Sequence, residues 1–257
     1  TGGSGILCGA MAEALAACGA KVAILALGQE GCDAKADQIK AAGGTAIGIN
    51  TNVLDKESIK RAHEIILKEF GPCDILINGA GGNHPKGTTT NEYLLPEDLD
   101  NEELTTFFDL DPEGVKFVFD LNFLGTLLPS QEFAKDMINK EGATIINISS
   151  MNAYTPLTKI PAYSGAKAAV TNFTQWLAVH MSKVGIRVNA IAPGFFVTAQ
   201  NEKLLFNEDG TPTARSQKIL NSTPIGTLLY LVNNDASGFV NGVCIPVDGA
   251  FWAYSGV

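Results

Sequence analysis

Tyr163 and Lys167 are the two residues whose spacing first suggests chemistry. They stand four positions apart in the stretch Tyr163 to Val179, whose alanines are typical of a helix. Side chains at this spacing lie on one helix face, about one turn apart. An ammonium beside a phenol lowers the phenol pKa, which suits acid–base catalysis. The same spacing is also common in ordinary surface pairs, so the pair alone does not establish a function.

A serine hydroxyl is predicted to join this pair. The hydrophobic run from Ala143 to Ile148 predicts a strand, which is followed by Ser149 and Ser150. From the strand end, Ser150 can donate a hydrogen bond to a carbonyl oxygen held beside Tyr163. The serine precedes the tyrosine by thirteen positions, and the sequence starts with a Gly-rich segment. Together these features favour a catalytic site over a surface pair.

Composition limits the classes of function. The protein has 257 residues, of which 46% are hydrophobic, and it contains no low-complexity linker, so we expect one domain. A net charge of −9 argues against nucleic acid and against anionic membrane surfaces. Its five cysteines are scattered without metal-ligand spacing, so we expect reduced thiols and no metal. No signal peptide or membrane-spanning stretch is present, which favours a cytoplasmic protein.

The Gly-rich start is typical of a dinucleotide-binding unit. Residues 1–12 read TGGSGILCGAMA, and a predicted helix from Glu13 to Gly19 and a predicted strand from Lys21 to Leu27 follow. The backbone N–H groups of such a turn, together with a helix N-terminus, can bind a pyrophosphate. A strand normally precedes this turn, so we expect a first strand to be missing before Thr1.

With Ser150, Tyr163 and Lys167 in this order, the sequence resembles the short-chain dehydrogenase/reductase family over nearly its whole length. The resemblance implies a single NAD(P)-binding domain over residues 1–257, with an α/β Rossmann fold. Its doubly wound parallel sheet would be flanked by helices in three layers. The implied activity is hydride transfer between a nicotinamide cofactor and a carbonyl or hydroxyl group.

The resemblance also implies a role for each catalytic residue. Tyr163 exchanges the proton, Ser150 hydrogen-bonds the reacting oxygen, and Lys167 binds the nicotinamide ribose and lowers the Tyr163 pKa. Asn122, inside a predicted helix from Val115 to Asp136, holds a water molecule of the proton relay.

Cofactor-binding positions are implied along the sequence, mostly at strand ends. They are Gly2, Gly3, Gly5, Ile6, Asn52, Val53, Asn78, Gly79, Ala80, Gly81, Tyr163, Lys167, Pro193, Gly194, Phe196 and Thr198. The family pattern TGxxxGxG would place glycines where Ile6 and Cys8 stand. After the strand that begins at Lys21, the segment from Ala26 to Gly28 has neither the Asp typical of NAD nor the Arg typical of NADP. Because a 2′-phosphate needs a cation, we expect NAD(H) to be favoured over NADP(H).

A long acidic insert and several polar residues indicate the substrate. Forty-four positions separate Asn78 from Asn122, about twenty more than the family leads us to expect, and such a loop at a strand end is often functional. The polar candidates for substrate contact are Asn83, His84, Asn152, Lys159 and Gln200. These residues suit a sugar acid better than a steroid or an acyl chain.

The segments GAGGNHPK, SSMNAYTPLTKIPAYS and APGFFVTAQN are similar to those of the D-mannonate oxidoreductases within the same family. That resemblance implies interconversion of D-fructuronate and D-mannonate. A gluconate- or polyol-type dehydrogenase and a non-catalytic dinucleotide-sensing protein are the alternatives.

Two features of the C-terminal third bear on length and assembly. Between Ile225 and Gly226 the sequence is about ten residues shorter than the family pattern leads us to expect. The tail from Phe251 to Val257 is apolar and aromatic. Tails of this kind pack on partner subunits, so we expect a homo-oligomer, a tetramer in particular.

Overall fold

The computed structural model describes residues 1–194 and 225–248, where strands alternate with helices. The strands are β1 Lys21–Ala26, β2 Thr45–Asn50, β3 Ile75–Asn78, β4 Thr144–Ile148, β5 Arg187–Pro193 and β6 Cys244–Val247. The helices in the same part of the protein are α1 Ile6–Ala17, α2 Gln29–Ala41, α3 Lys56–Glu69, α4 Pro112–Phe119, α5 Gly125–Met137, α6 Pro161–Met181, α7 Ile225–Val232 and α8 Asn234–Ser237.

All strand pairs among the described residues are parallel. β1 pairs with β2, and β3, β4, β5 and β6 are neighbours in that order. Parallel neighbours need a crossover connection, which contains at least one helix in each of the four pairs. The predicted α/β architecture of parallel strands flanked by helices is therefore confirmed.

A cavity separates β1 from β3. Its volume is about 440 Å³, and both strands contribute to its walls, through residues 21–25 and 74–77. The N-terminal segment reaches both sides, because the Thr1 amino group donates to the Ile77 carbonyl (2.6 Å) and Gly3 N–H donates to the Leu25 carbonyl (3.2 Å). The expected strand before Thr1 stays a prediction.

The central strands are covered on both faces, which gives the three layers. Ile145 and Val188 face a cluster that includes Phe133 of α5 and Phe173 of α6. Their neighbours along the strands, such as Ile146, face the opposite cluster with α1 and α7. Because successive strand residues point to opposite faces, strands buried on both sides are continuously apolar, and β4 approaches this pattern.

Two helices differ from the predictions. α1 begins at Ile6 rather than at Glu13, so its N-terminus directly follows the Gly-rich turn. The predicted single helix from Val115 to Asp136 is interrupted by a π-helical turn at Asp120–Leu124. Within that turn, the Asn122 amide donates to the Val118 carbonyl at 2.8 Å, which competes with the regular helical bonding.

The acidic insert has little regular structure of its own. It contains three short 3₁₀ turns, at Pro85–Gly87, Pro96–Asp100 and Phe107–Asp109. Thr89 N–H donates to the Lys159 carbonyl at 2.9 Å, which fastens the insert to the segment just before α6. The insert therefore lies against the region that carries Tyr163.

Candidate active site

Tyr163 and Lys167 lie one turn apart near the start of α6, as predicted. The helix starts at Pro161, which suits the first helical position because proline lacks an N–H donor. Lys167 Nζ lies 5.7 Å from the centre of the Tyr163 ring. The ammonium is buried, with 4% of Lys167 exposed, and donates to the Ile148 carbonyl at 2.7 Å. The last residue of β4 thus orients the lysine.

Ser150 completes the cluster at the carboxyl end of β4. It is buried, and it lies close enough to Tyr163 for its hydroxyl to lower the pKa of the phenol. Its Oγ also accepts from Asn152 N–H at 3.2 Å, which fixes the hydroxyl at the start of a short 3₁₀ turn. The structure therefore brings Ser150, Tyr163 and Lys167 together at the edge of the sheet where open α/β folds bind ligands.

The pKa of Tyr163 is shifted in the direction opposite to the one predicted from the sequence. Burial raises the pKa of Tyr163, and the neighbouring Ser150 hydroxyl only partly opposes this. Burial lowers the pKa of Lys167 to about 8. The expectation that Lys167 lowers the Tyr163 pKa is not met in this structure, because the ammonium points to the Ile148 carbonyl. The phenol is therefore protonated at neutral pH, which is the form that donates a proton.

Asn122 is fully buried in the π-helical turn and holds the loop that follows β3. Its amide donates to the Gly82 carbonyl at 2.7 Å, and its oxygen accepts from Gly82 N–H at 3.3 Å. A β-carbon on Gly81 would lie 2.6 Å from Asn122 Oδ1 and 3.1 Å from Lys167 Nζ. The loop thus connects Asn122 to the catalytic cluster, while its role in a proton relay stays a prediction.

The Gly-rich turn meets the loop after β3 backbone to backbone at Gly2 and Gly79. Gly2 has a φ of +68°, and a β-carbon there would lie 2.8 Å from the Gly79 carbonyl carbon. Gly5 N–H donates to the Gly2 carbonyl (3.1 Å), and α1 starts at the next residue, Ile6, which is 56% exposed. Close backbones and a helix N-terminus fit the pyrophosphate of a dinucleotide.

Cys8 occupies the second position where the family pattern has glycine. Its side chain is buried, and a β-carbon on Gly79 would overlap the Cys8 sulfur. Burial raises the pKa of the Cys8 thiol, so the group is neutral. The glycine at 79 therefore provides the space for the cysteine, and the turn keeps its shape.

Asn78 differs from the other predicted cofactor contacts. Its side chain is buried and donates to Ser130 Oγ and to Asn147 Oδ1, both at 2.9 Å. The amide therefore ties β3 to α5 and β4 instead of facing the Gly-rich turn. Ala80, two positions later, donates through its N–H to Thr1 Oγ1 at 3.2 Å.

The predicted adenine segment follows β2. Asn52 is exposed and accepts a hydrogen bond from Leu54 N–H at 3.0 Å through its side chain. Val53 is 5% exposed, and a β-carbon on Gly125 would lie 3.1 Å from its Cγ2. Val53 thus packs against the start of α5, so Asn52 is the more accessible of the two.

The turn after β1, where the ribose is expected, is fixed by the uncharged side chains of Asn50 and Gln29. Leu27 is 72% exposed, and Gly28 has a φ of +87°. Gly28 N–H donates to Asn50 Oδ1 (3.0 Å), and Gln29 Oε1 accepts from Asn50 N–H (3.0 Å). The asparagine and the glutamine thus fix the turn without contributing a cation.

Pro193 and Gly194 lie at the carboxyl end of β5, beside the end of β6. Gly194 N–H donates to the Val247 carbonyl at 3.1 Å, and a β-carbon on Gly194 would lie 2.6 Å from the Asp248 β-carbon. The other predicted contacts of this segment, Phe196, Thr198 and Gln200, lie outside the described residues, as does the aromatic tail.

The predicted substrate residues approach the cluster from two segments. Asn83 donates to Thr88 Oγ1 at 2.9 Å, and the half-buried His84 ring lies 5.2 Å from the Phe117 ring. Asn152 is buried beside Ser150, and Lys159 is exposed where the insert is fastened. The two segments converge near the start of α6.

Sequence reasoning missed two backbone groups that position the site. They are the Ile148 carbonyl, which binds Lys167, and the Gly82 peptide group, which binds Asn122. The run of small residues from Gly79 to Gly82 is a signal for the second. The first has no side-chain signal.

Residues 1–194 and 225–248 offer neither a membrane span nor a metal centre. No helix in these ranges combines the length and the apolar composition required to cross a bilayer. Within the same ranges, no group of at least three His, Cys, Asp or Glu side chains is placed to hold a metal ion.

Comparison with known proteins gives consistent similarities. Residues 1–209 match the family model described as short chain dehydrogenase. An uncharacterised oxidoreductase of Haemophilus influenzae is 58% identical over 267 positions, which cover all of this protein and 93% of that one. UxuB of Bacillus subtilis, also an uncharacterised oxidoreductase, is 52% identical, with 100% and 95% coverage. Both alignments extend over 267 positions against 257 residues here, so they include ten positions at which this protein has no residue.

A crystal structure from Haemophilus with bound NAD carries the provisional name D-mannonate oxidoreductase. It superimposes with a TM-score of 0.92 at 57% identity, covering all of this protein and 94% of that one.

Proposed function

Because the protein belongs to the short-chain dehydrogenase family and is an oxidoreductase of that family, we propose that it interconverts D-fructuronate and D-mannonate with NAD(H). The observation that carries the proposal is the convergence of Ser150, Tyr163 and Lys167 at the carboxyl end of β4. Such a cluster serves a carbonyl or hydroxyl group placed beside the phenol.

In the direction of reduction, Tyr163 donates its proton to the substrate oxygen. Ser150 donates a hydrogen bond to the same oxygen and stabilises its developing negative charge. When bound, NADH supplies the hydride that the substrate carbon receives. In the direction of oxidation, Tyr163 accepts the proton from the hydroxyl group.

Lys167 and Asn122 have supporting roles in the proposal. Lys167 binds the nicotinamide ribose and keeps a cation near the phenol. Asn122 fixes the loop at Gly82 and holds a water molecule that leads the proton to solvent. These roles are supported by the burial of both side chains and by the short path from Asn122 through Gly81 to Lys167.

The preference for NAD(H) is supported by the end of β1. The neighbouring side chains of Leu27, Gln29 and Asn50 are uncharged, so they offer no cation to a 2′-phosphate. The backbone approach of Gly2 to Gly79 fits the pyrophosphate. The similar Haemophilus structure has bound NAD.

The choice of a sugar acid is supported by the polar residues at the site and by the names of the similar proteins. Asn83, His84, Asn152 and Lys159 approach the start of α6, where a polyhydroxylated substrate would need partners. The Haemophilus protein's provisional name refers to D-mannonate. Lys159 is exposed at the entrance and is suited to attract a carboxylate.

Assembly and location complete the proposal. Trp176 is 55% exposed and Val179 is 77% exposed on α6, an apolar surface that suits a homo-oligomer, specifically a tetramer. All five cysteines are free, which suits a reducing compartment such as the cytoplasm. The single domain over residues 1–257 is part of the same proposal.

The experiment follows nicotinamide absorbance with D-fructuronate, first with NADH and then with NADPH. The proposal predicts rapid oxidation of NADH and slow oxidation of NADPH. If NADH binds and other keto-sugars are reduced while D-fructuronate is not, the substrate assignment is wrong. If neither cofactor binds, the catalytic proposal as a whole is wrong.

A further inference from the structure

His84 is held by a hydrogen bond that decides which of its ring nitrogens carries the proton. Lys86 N–H donates to His84 Nδ1 at 3.2 Å. A backbone N–H only donates, so Nδ1 accepts, and the neutral ring carries its proton on Nε2. The Phe117 ring, 5.2 Å away between centroids, supports the imidazole. The result is a fixed donor at Nε2.

The turn that holds His84 packs tightly between α4 and the residue before Tyr163. It comprises Pro85–Gly87, and a β-carbon on Gly87 would lie 3.5 Å from the β-carbon of Ala162, the residue before Tyr163. On its other side, a β-carbon on Gly114 would lie 2.6 Å from the Lys86 β-carbon. The turn thus has little freedom to move relative to α4 and α6.

The backbone just before His84 is also fixed, because Gly82 forms two hydrogen bonds with the Asn122 side chain. A β-carbon on Gly81 would lie 3.1 Å from Lys167 Nζ. The backbone therefore runs from the Lys167 ammonium to Ala162, along the part of α6 that carries Tyr163. His84 lies in the middle of this path.

The neighbouring polar groups are already paired, which distinguishes His84 from them. The Asn83 amide donates to Thr88 Oγ1 (2.9 Å), and the Lys86 ammonium pairs with Asp111 (2.9 Å). Thr88 Oγ1 donates to the His84 carbonyl at 3.0 Å, which closes the turn. In residues 1–194 and 225–248, no hydrogen bond occupies His84 Nε2.

We infer that His84 Nε2–H binds the carboxylate of the substrate and thereby makes the enzyme select keto-sugar acids over neutral keto-sugars. The inference rests on the proposed function, since it concerns the same site and the same substrate class. A positioned N–H donor forms a charge-assisted hydrogen bond with a carboxylate, whereas a neutral sugar offers only a hydroxyl at that position.

Two substitutions separate the Nε2 donor from the Nδ1 acceptor. His84→Asn keeps an acceptor near the Nδ1 position for Lys86 N–H but is too short to reach the carboxylate. His84→Gln places an amide donor near the Nε2 position and loses the Nδ1 acceptor. His180→Asn is the matched control, because His180 is exposed on α6 and stacks on Trp176. Thermal melting and NADH titration show that each variant is folded and binds cofactor.

The assay compares kcat/KM for D-fructuronate with that for D-fructose, with NADH as the reductant. We expect His84→Asn to lower the ratio of acid to neutral substrate by about tenfold to hundredfold, the usual loss for a hydrogen bond to a charged group. His84→Gln should keep more of the ratio, and His180→Asn should keep all of it.

Three results would overturn the inference. An unchanged ratio in folded His84→Asn, with the wild type active, contradicts the inference alone. A ratio of acid to neutral substrate as low in His84→Gln as in His84→Asn also contradicts the inference. The loss would then come from a disturbed turn rather than from the missing Nε2 donor. A wild type inactive on D-fructuronate contradicts the proposed function, and the inference with it.

Discussion

Two buried cationic side chains in this protein have opposite surroundings. Lys167 lies in the candidate active site with the Ile148 carbonyl as its hydrogen-bond acceptor, and burial lowers its pKa to about 8. His63 of α3 lies 2.8 Å from both Glu132 Oε1 and Asp136 Oδ2 of α5. Burial lowers the pKa of His63, but the hydrogen bonds to Glu132 and Asp136 outweigh it and raise the pKa overall.

The geometry around His63 requires a doubly protonated ring. A neutral imidazole has one N–H, so one of the two carboxylates would face a lone pair. Asp136 also accepts from Cys73 N–H at 3.0 Å, and Glu132 pairs with Lys135 at 2.7 Å. The His63 cluster therefore links α3 to α5, whereas the catalytic lysine has a carbonyl rather than a carboxylate as its acceptor. Removing one partner of a buried ion pair is destabilising, whereas a buried cation with a shifted pKa at a strand-end cleft is a candidate functional group.

Replacing Lys167 is expected to have the largest effect on activity. Lys167→Met should lower kcat by about 10²–10⁴-fold, because the residue proposed to hold the nicotinamide ribose beside Tyr163 is lost and the acid–base step then lacks a positioned partner. Its melting temperature should stay unchanged or rise, because an uncompensated buried charge is removed. Steady-state kinetics and calorimetry measure both, with Lys68→Met on the exposed face of α3 as control. A variant that melts much earlier would show that the lysine is structural.

Replacing His63 should give the reverse pattern. His63→Leu leaves Glu132 and Asp136 without their shared donor, and we expect a loss of about 2 kcal/mol in the free energy of unfolding. The kcat of the folded variant should equal that of the wild type. Urea denaturation with parallel assays, and His180→Leu as an exposed control, test this. A stable variant would mean that the cluster contributes little.

The pH dependence of stability should differ between the two sites. The raised pKa of His63 means that its contribution is complete below its ordinary value of 6.5 and is lost as pH rises through the folded-state pKa. Burial lowers the pKa of Lys167 from 10.5 to about 8 in the folded state. Below about pH 8 the buried ammonium is charged and destabilises the fold. As pH rises from about 8 the folded protein loses this proton, and the destabilisation decreases. Melting curves of wild type, His63→Leu and Lys167→Met across this range test both signs. Differences that do not vary with pH would contradict both assignments.

The part of the site that could be predicted from sequence is the part with local determinants. Tyr163 and Lys167 share a helix, and Ser150 follows a short apolar strand, so helical and strand periodicity place all three. The N-cap of α3 is another local feature, because the Asp55 side chain accepts from Glu57 N–H.

The features that sequence reasoning missed depend on contacts between distant residues. The π-helical turn forms where Asn122 meets Gly82, forty residues away. The His63 cluster joins residues separated by 69 and 73 positions. The inward orientation of Asn78 follows from Ser130 and Asn147, and no periodicity in the sequence indicates it.

The most direct test of the central claim is the activity of Tyr163→Phe with NADH and D-fructuronate. The variant loses only the phenolic oxygen, so NADH affinity and melting temperature should be retained. Turnover should fall by about 10²–10⁴-fold because the proton donor is gone. Tyr230→Phe, on the exposed surface of α7, is the matched control and should keep full activity. Turnover of Tyr163→Phe equal to that of the wild type would contradict the claim.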